Sequence, residues 1–239
     1  MVTTVGVLAL QGGVEEHLRI LDEHGVATRR VRLPQDLDGL DGIILPGGES
    51  SAIDKLARSC GVAEPLRRAV EGGLPVLATC AGLIYSAREL DNPAPGQQTL
   101  ALIDVSVRRN AFGNQRFSEE RIVPVVMPTA AGRNEAAGDE VLDIEASFIR
   151  APIVTRVGEG VEVIATVPVS GPVAESLGRD VDGQSAGQKS SLDAGGDAIV
   201  GVRQGAVTAL SFHPEENGDS RLHAAWLASL EAEAANLAV

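Results

Sequence analysis

The chain has 239 residues, 44% hydrophobic and 22% charged, enough to core one domain of ordinary composition. A net charge of −13 argues against nucleic acid and anionic membranes as partners, and an aromatic content of 3% leaves little for stacking on bases. Cys60 and Cys80 are the only cysteines, which speaks against a disulfide framework. No apolar run reaches the roughly 18 residues that span a bilayer, and the first residues read as a strand and not a signal peptide, so the expectation is a reduced, cytoplasmic protein.

Val5–Leu10 is a continuous apolar run of the kind that forms a strand covered on both faces. After Gln11-Gly12-Gly13, the spacing of Val14, Leu18 and Leu21 predicts a helix over Val14–His24, capped by Gly25. Val26–Leu33 alternates as a second strand, and Gly42–Leu45 is a third, broken by Pro46-Gly47-Gly48. Helices are predicted over Ser51–Arg58 and Ala63–Glu71, and a buried strand over Leu74–Ala78. This alternation implies a parallel sheet whose ligand site lies outside the carboxyl ends of the strands, where the turns at Gly12, Gly47 and Cys80 converge. Beyond Leu102 the pattern changes to strands over Leu102–Arg108, Ile122–Met127, Ser147–Arg150, Val161–Val167 and Ala198–Leu210, the last folded at Arg203-Gln204-Gly205-Ala206. Asp219–Leu237 reads as an alanine-rich closing helix. Residues 129–140 and 170–197, rich in small and charged residues, read as flexible insertions within one domain covering 1–239.

The chemistry centres on Thr79-Cys80-Ala81-Gly82, directly after a buried strand. A cysteine at such a strand-to-helix turn gains from the helix N-terminus, which favours the thiolate and offers N–H groups to a developing oxyanion. On that segment alone an inert core cysteine is the commoner reading. His213-Pro214-Glu215, after the apolar strand Val207–Phe212, supplies a base and a carboxylate that can orient it, read here on extended backbone. The other histidines, His17 and His24 on the first helix and His223 on the last, are expected at the surface. Leu45-Pro46-Gly47-Gly48-Glu49-Ser50 has two equal readings: backbone N–H groups aimed at an anion, or a tight turn with Ser50 as helix N-cap. It has no lysine of the kind a nucleotide phosphate loop carries.

Pro46-Gly47-Gly48-Glu49-Ser50, Thr79-Cys80-Ala81-Gly82 and Ser211-Phe212-His213-Pro214-Glu215 together resemble the class I (triad) glutamine amidotransferases. Gly6–Gly12, Arg109-Asn110-Ala111-Phe112-Gly113-Asn114-Gln115 and Phe148–Pro152 are similar to the subfamily of glutaminase subunits of pyridoxal 5′-phosphate synthases. The resemblance implies an α/β, flavodoxin-like fold: a central, mostly parallel sheet flanked by helices, with added antiparallel strands in the second half. It implies that Cys80 attacks the amide of L-glutamine, with His213 as base and then acid and Glu215 orienting it. Gly48 and Ala81 would supply the oxyanion hole; Gly48, Glu49, Ser50, Arg109, Ile149 and Arg150 would bind substrate. Gln11 would face the site or a partner. No cofactor or metal is implied. The implied partner is a (β/α)8-barrel synthase subunit that receives the ammonia and makes pyridoxal phosphate from ribose 5-phosphate and glyceraldehyde 3-phosphate.

Ala111, Asn114 and the order of Phe117-Ser118-Glu119-Glu120 depart from the subfamily's usual residues and bear on partner contacts and regulation more than on chemistry; Gly13 is a minor departure. Two other readings stand beside this one: a triad glutaminase serving a different synthase, such as that of imidazole glycerol phosphate, and a non-catalytic regulatory subunit of the same fold. A peptidase of related fold is disfavoured by Glu215 and Arg109.

Overall fold

A computed structural model of the chain describes residues 3–112, 119–128, 139–168 and 196–237. The first half runs β1 (Thr4–Leu8), α1 (Val14–Glu23), β2 (Ala27–Val31), β3 (Gly42–Leu45), α2 (Ser50–Ser59), α3 (Ala63–Glu71), β4 (Val76–Thr79) and α4 (Ala81–Ser86). The second half adds β5 (Ala87–Leu90), β6 (Ile103–Arg108), β7 (Glu119–Pro128), β8 (Asp139–Phe148), β9 (Ile153–Val157), β10 (Glu162–Val167), β11 (Ala198–Gln204), β12 (Val207–Leu210) and α5 (Arg221–Leu237).

The main sheet has the order β2-β1-β3-β4-β12-β11-β9-β6-β5, with β10 added alongside β11. From β2 to β12 every neighbouring pair is parallel. The β11–β12 hairpin, β9 and β10 then turn it antiparallel, as the resemblance implied. β7 and β8 form a separate antiparallel pair.

Strand alternation divides the core into two layers. Val5 and Val7 of β1, Ile44 of β3 and Leu77 of β4 face α1, α5 and the β7–β8 arm, with Leu21, Trp226, Val123 and Ile144 in the same cluster. Leu8, Ile43, Leu45, Val76 and Ala78 face the other way, onto Ile53, Leu66, Leu83 and Tyr85 of α2, α3 and α4. A sheet covered on both faces needs apolar residues at successive positions, which is why these strands read as continuous runs.

The structure corrects several boundaries. β5 and β9 have no counterpart in the sequence reading: Ala-Arg-Glu-Leu lies at the sheet edge without an apolar alternation, and β9 is a short β-branched run after Pro152. β8 is far longer than Ser147–Arg150, and it takes Asp139 and Glu140 out of the first proposed insertion. The remainder of that insertion, 129–138, lies outside the described residues, as do 170–195 of the second. α1 ends at Glu23 with His24 as its C-cap, and Gly25 follows with φ +69 while its N–H returns to Asp22 O, the expected left-handed stop. No helix among the described residues is long and apolar enough to cross a membrane.

Candidate active site

Parallel pairing brings the carboxyl ends of β1, β3, β4 and β12 to one edge of the sheet, and the turns that follow them build the site. Cys80 follows β4 and caps α4, with φ 46 and ψ −101, a conformation that costs a residue with a side chain on the order of 1–3 kcal/mol. Its N–H donates to Leu210 O at the end of β12, so the sheet holds the strained turn in place. Gly82 lets α4 start this close to β3: a Cβ there would sit 2.1 Å from Leu45 O.

His213 is fixed at the backbone by a two-way bridge to Ser147 at the end of β8, its N–H donating to Ser147 O at 3.0 Å. The residue after it does not continue an extended path. Pro214 is helical and opens a 3-10 turn over Glu215–Asn217, which tucks Glu215 beneath the imidazole. Glu215 Oε1 lies 2.8 Å from His213 Nδ1, which leaves Nε2 for Cys80, the thiol whose field acts on the same ring. Cys80 is 6% exposed, His213 8% and Glu215 0%. Burial alone would discharge the imidazolium. The Cys80 sulfur and then Glu215 more than offset it and push His213 up to about 11. Burial likewise opposes the Glu215 carboxylate, but His17 and His213 hold it well below the usual range.

His17 and His223 correct the expectation of surface histidines. Both are 0% exposed, and His17 reaches Glu215 directly; His24 alone of the three is exposed. Helical spacing could have found them. His17 lies between Val14 and Leu21 on the buried stripe of α1, and His223 lies next to Leu222 and three residues before Trp226 on α5.

The Gly47-Gly48 turn lies against the His213 imidazole: a Cβ on Gly47 would be 2.0 Å from His213 Cε1. Gly47 O accepts from Gly13 N–H at 3.1 Å, so the Gly48 N–H points away from the β1 loop across the trans peptide. Gln11 Oε1 accepts from Glu49 N–H at 2.6 Å, a second tie between the two loops. Ala81 opens α4, where its N–H belongs to the unpaired first turn.

Glu49, not Ser50, is the N-cap of α2; its carboxylate accepts from Ser51 and from Arg109 Nη2 at 2.9 Å. Ser50 is 2% exposed, with its hydroxyl accepting from Gln97. Arg109 thus arrives paired with Glu49, and its backbone is clamped by Asn92 through two hydrogen bonds. Ala111 and Phe112 are buried, and Phe112 stacks on Phe148, which touches Phe212 beside His213. Ile149 is half-buried and Arg150 exposed, two and three residues past the bridged Ser147, with Arg150 at φ +49. Asn114 and Phe117-Ser118 lie outside the described residues, whereas Glu119 and Glu120 open β7.

Residues 7–232 match the model of the SNO glutamine amidotransferase family. A pyridoxal 5′-phosphate synthase subunit PdxT from Corynebacterium glutamicum is 53% identical over 223 residues, covering 93% of this chain and 94% of that protein. A PdxT subunit from Cutibacterium acnes is 51% identical over 233 residues, covering 98% and 100%. A solved glutamine amidotransferase superposes with a TM-score of 0.72 at 38% identity, covering 95% of this chain and 98% of that one. Motifs, fold and relatives agree: the chain belongs to the SNO glutamine amidotransferase family.

Proposed function

We propose that this chain is a glutaminase subunit that hydrolyses L-glutamine through Cys80, His213 and Glu215 and passes the ammonia to a pyridoxal 5′-phosphate synthase subunit. One observation carries the chemical half of the reading: a cysteine on a strained strand-to-helix turn beside an imidazole whose far nitrogen meets a buried carboxylate. With His213 held as imidazolium, Cys80 can attack as thiolate. The sulfur adds to the side-chain amide carbon, and the Gly48 and Ala81 N–H groups receive the oxyanion. His213 protonates the departing ammonia, leaving a γ-glutamyl thioester on Cys80. His213 then takes a proton from water, which attacks the thioester and releases glutamate.

Arg109, oriented by Glu49, offers its guanidinium to the substrate's α-carboxylate, with Ile149 and Arg150 on the adjoining loop. The acceptor of the ammonia rests on the relatives, which are named as subunits of pyridoxal 5′-phosphate synthase. The test is ammonia release from glutamine by the purified chain, with and without that synthase subunit, beside Cys80→Ala. Release that rises with the synthase and vanishes in Cys80→Ala is the expected result. Turnover retained in Cys80→Ala would sink the nucleophile assignment. Activity indifferent to the synthase would point to another acceptor.

A further inference from the structure

Two imidazoles that glutamine hydrolysis does not require lie fully buried behind Glu215. Three polar groups converge on Glu215 Oε1: His213 Nδ1 and Thr79 Oγ by hydrogen bonds of 2.8 and 3.3 Å, and His17 Nε2 in polar contact at 3.4 Å. His17 Nε2 also lies 3.2 Å from the Thr79 hydroxyl, and His17 Nδ1 lies 2.9 Å from His223 Nε2. The chain of contacts therefore joins α1, the last residue of β4 and α5 to the catalytic turn.

The proton positions follow from acceptor logic. An ionised carboxylate only accepts, so the nitrogen of His17 that faces Glu215 carries the proton. In a neutral His17 ring Nδ1 is then an acceptor, and His223 must donate to it from Nε2. That leaves His223 Nδ1 as a bare lone pair, and it has no partner among the described residues. The opposite assignment would strand a buried N–H, the costlier of the two orphans. Burial first, then the neighbouring His17, pull His223 down to about 3, so it stays neutral. The titratable groups facing His223 are few: His17 and Glu215 in the chain of contacts itself, His24 just after α1 and Asp219 ahead of α5. Apolar side chains would fill the same space without the desolvation cost; what the imidazoles add is a directed N–H.

We propose that His17 and His223 are positioning residues for the triad: His17 donates from Nε2 to hold Glu215 in place as a carboxylate, and His223 fixes the tautomer of His17 that can do so. The relay's effect on turnover rests on the glutaminase reading above; its geometry does not. Neither residue touches the substrate, so the effect falls on kcat and on the protonation of Glu215.

The two amides that replace histidine separate this from packing, because glutamine places its NH2 near the site of Nε2 and asparagine near that of Nδ1. In the full chain with its synthase subunit, His17→Gln should keep kcat within about threefold of the parent. His17→Asn should lower kcat on the order of 10- to 100-fold with KM little changed, since a misplacement of about 1 Å in a catalytic group has that effect. The acid limb of its pH profile should move to higher pH, because Glu215 has lost a donor that kept it ionised. Equal losses in the two variants, or an unmoved acid limb in His17→Asn, would overturn the proposal. Imidazole nitrogen-15 NMR of the unmodified chain tests it without any variant: His17 and His223 should both show the Nε2–H form, and an Nδ1–H signal from either would sink the relay. If the unmodified chain releases no ammonia from glutamine, the glutaminase reading fails on its own. The NMR signature, and the pH dependence of Cys80 alkylation by iodoacetamide in the two variants, would still decide the relay.

Discussion

Adding one methyl group at Gly47 should disable the site without disturbing the fold. A Cβ there would lie 2.0 Å from His213 Cε1 and 2.8 Å from Nδ1. Relief to an ordinary contact of about 3.5 Å requires the ring or the loop to move by roughly 1.5 Å. Neither is free to do so. The ring is tied to Glu215 at 2.8 Å and its backbone to Ser147, while Gly47 O is tied to Gly13 N–H. If the ring yields, the His213–Glu215 bond stretches beyond hydrogen-bonding range. If the loop yields, the Gly48 N–H leaves its place. Displacement on the order of 1 Å costs about 100-fold, so kcat/KM of Gly47→Ala should fall at least that far, or about 2.7 kcal/mol of transition-state stabilisation. Glutamate formation measures the loss, and a thermal melt checks that the fold survives. Alkylation of Cys80 by iodoacetamide needs no oxyanion hole and slows only if His213 has moved. A folded Gly47→Ala protein with kcat/KM within about threefold of the parent would refute the packing argument.

Glu215→Gln should lower kcat by about 100- to 10,000-fold and move the alkaline limb of the pH profile to lower pH, because the His213 imidazolium loses one of its two supports. A full pH–rate profile checks this; an alkaline limb that stays put would mean Cys80 alone holds the charge. Stability should fall on the acid side. Glu215 and His223 both titrate below their ordinary values when folded, so the unfolded chain binds more protons. The contribution of His223 is complete above its ordinary 6.5 and is lost as pH falls from there towards about 3. That of Glu215 is complete above 4.5 and is lost below it. Urea unfolding between pH 6.5 and 4.5 should therefore show a slope of up to about 1.4 kcal/mol per pH unit from His223, which His223→Phe flattens. Arg109→Lys should raise KM for glutamine on the order of tenfold with a smaller effect on kcat, because lysine cannot meet Glu49 and a carboxylate with one planar fork; steady-state kinetics decide it.

The parallel half of the sheet and the three turns of the site were legible because strands buried on both faces leave continuous apolar runs, and tight approaches leave glycines. Gly42–Leu45 and Ala63–Glu71 stand in the structure with the bounds the sequence predicts. Edge strands leave no such mark, and β5 was missed for that reason. Glu215 was found by its spacing from His213, although the backbone between them turns where an extended path was expected. The buried histidines are hidden from a reading by residue type, because a polar side chain suggests a surface position while its place on the apolar stripe of the helix buries it. The pairing of Arg109 with Glu49 could not have been read at all: it joins segments sixty residues apart through a turn whose shape only the folded chain defines.

The sheet order carries a consequence for synthesis. β12, near the end of the chain, is the strand that lies beside β4, and His213 and Glu215 arrive only with the turn that follows it. While the ribosome is still making the second half, β1 to β4 have an open edge, and Cys80 has neither its base nor the Leu210 carbonyl that steadies its backbone. Closing that edge joins residues more than a hundred positions apart, a slow kind of contact to form. The Cys80 thiol therefore meets His213 in one of the last steps of folding, and a chain truncated before β12 would carry Cys80 without the imidazole proposed to activate it.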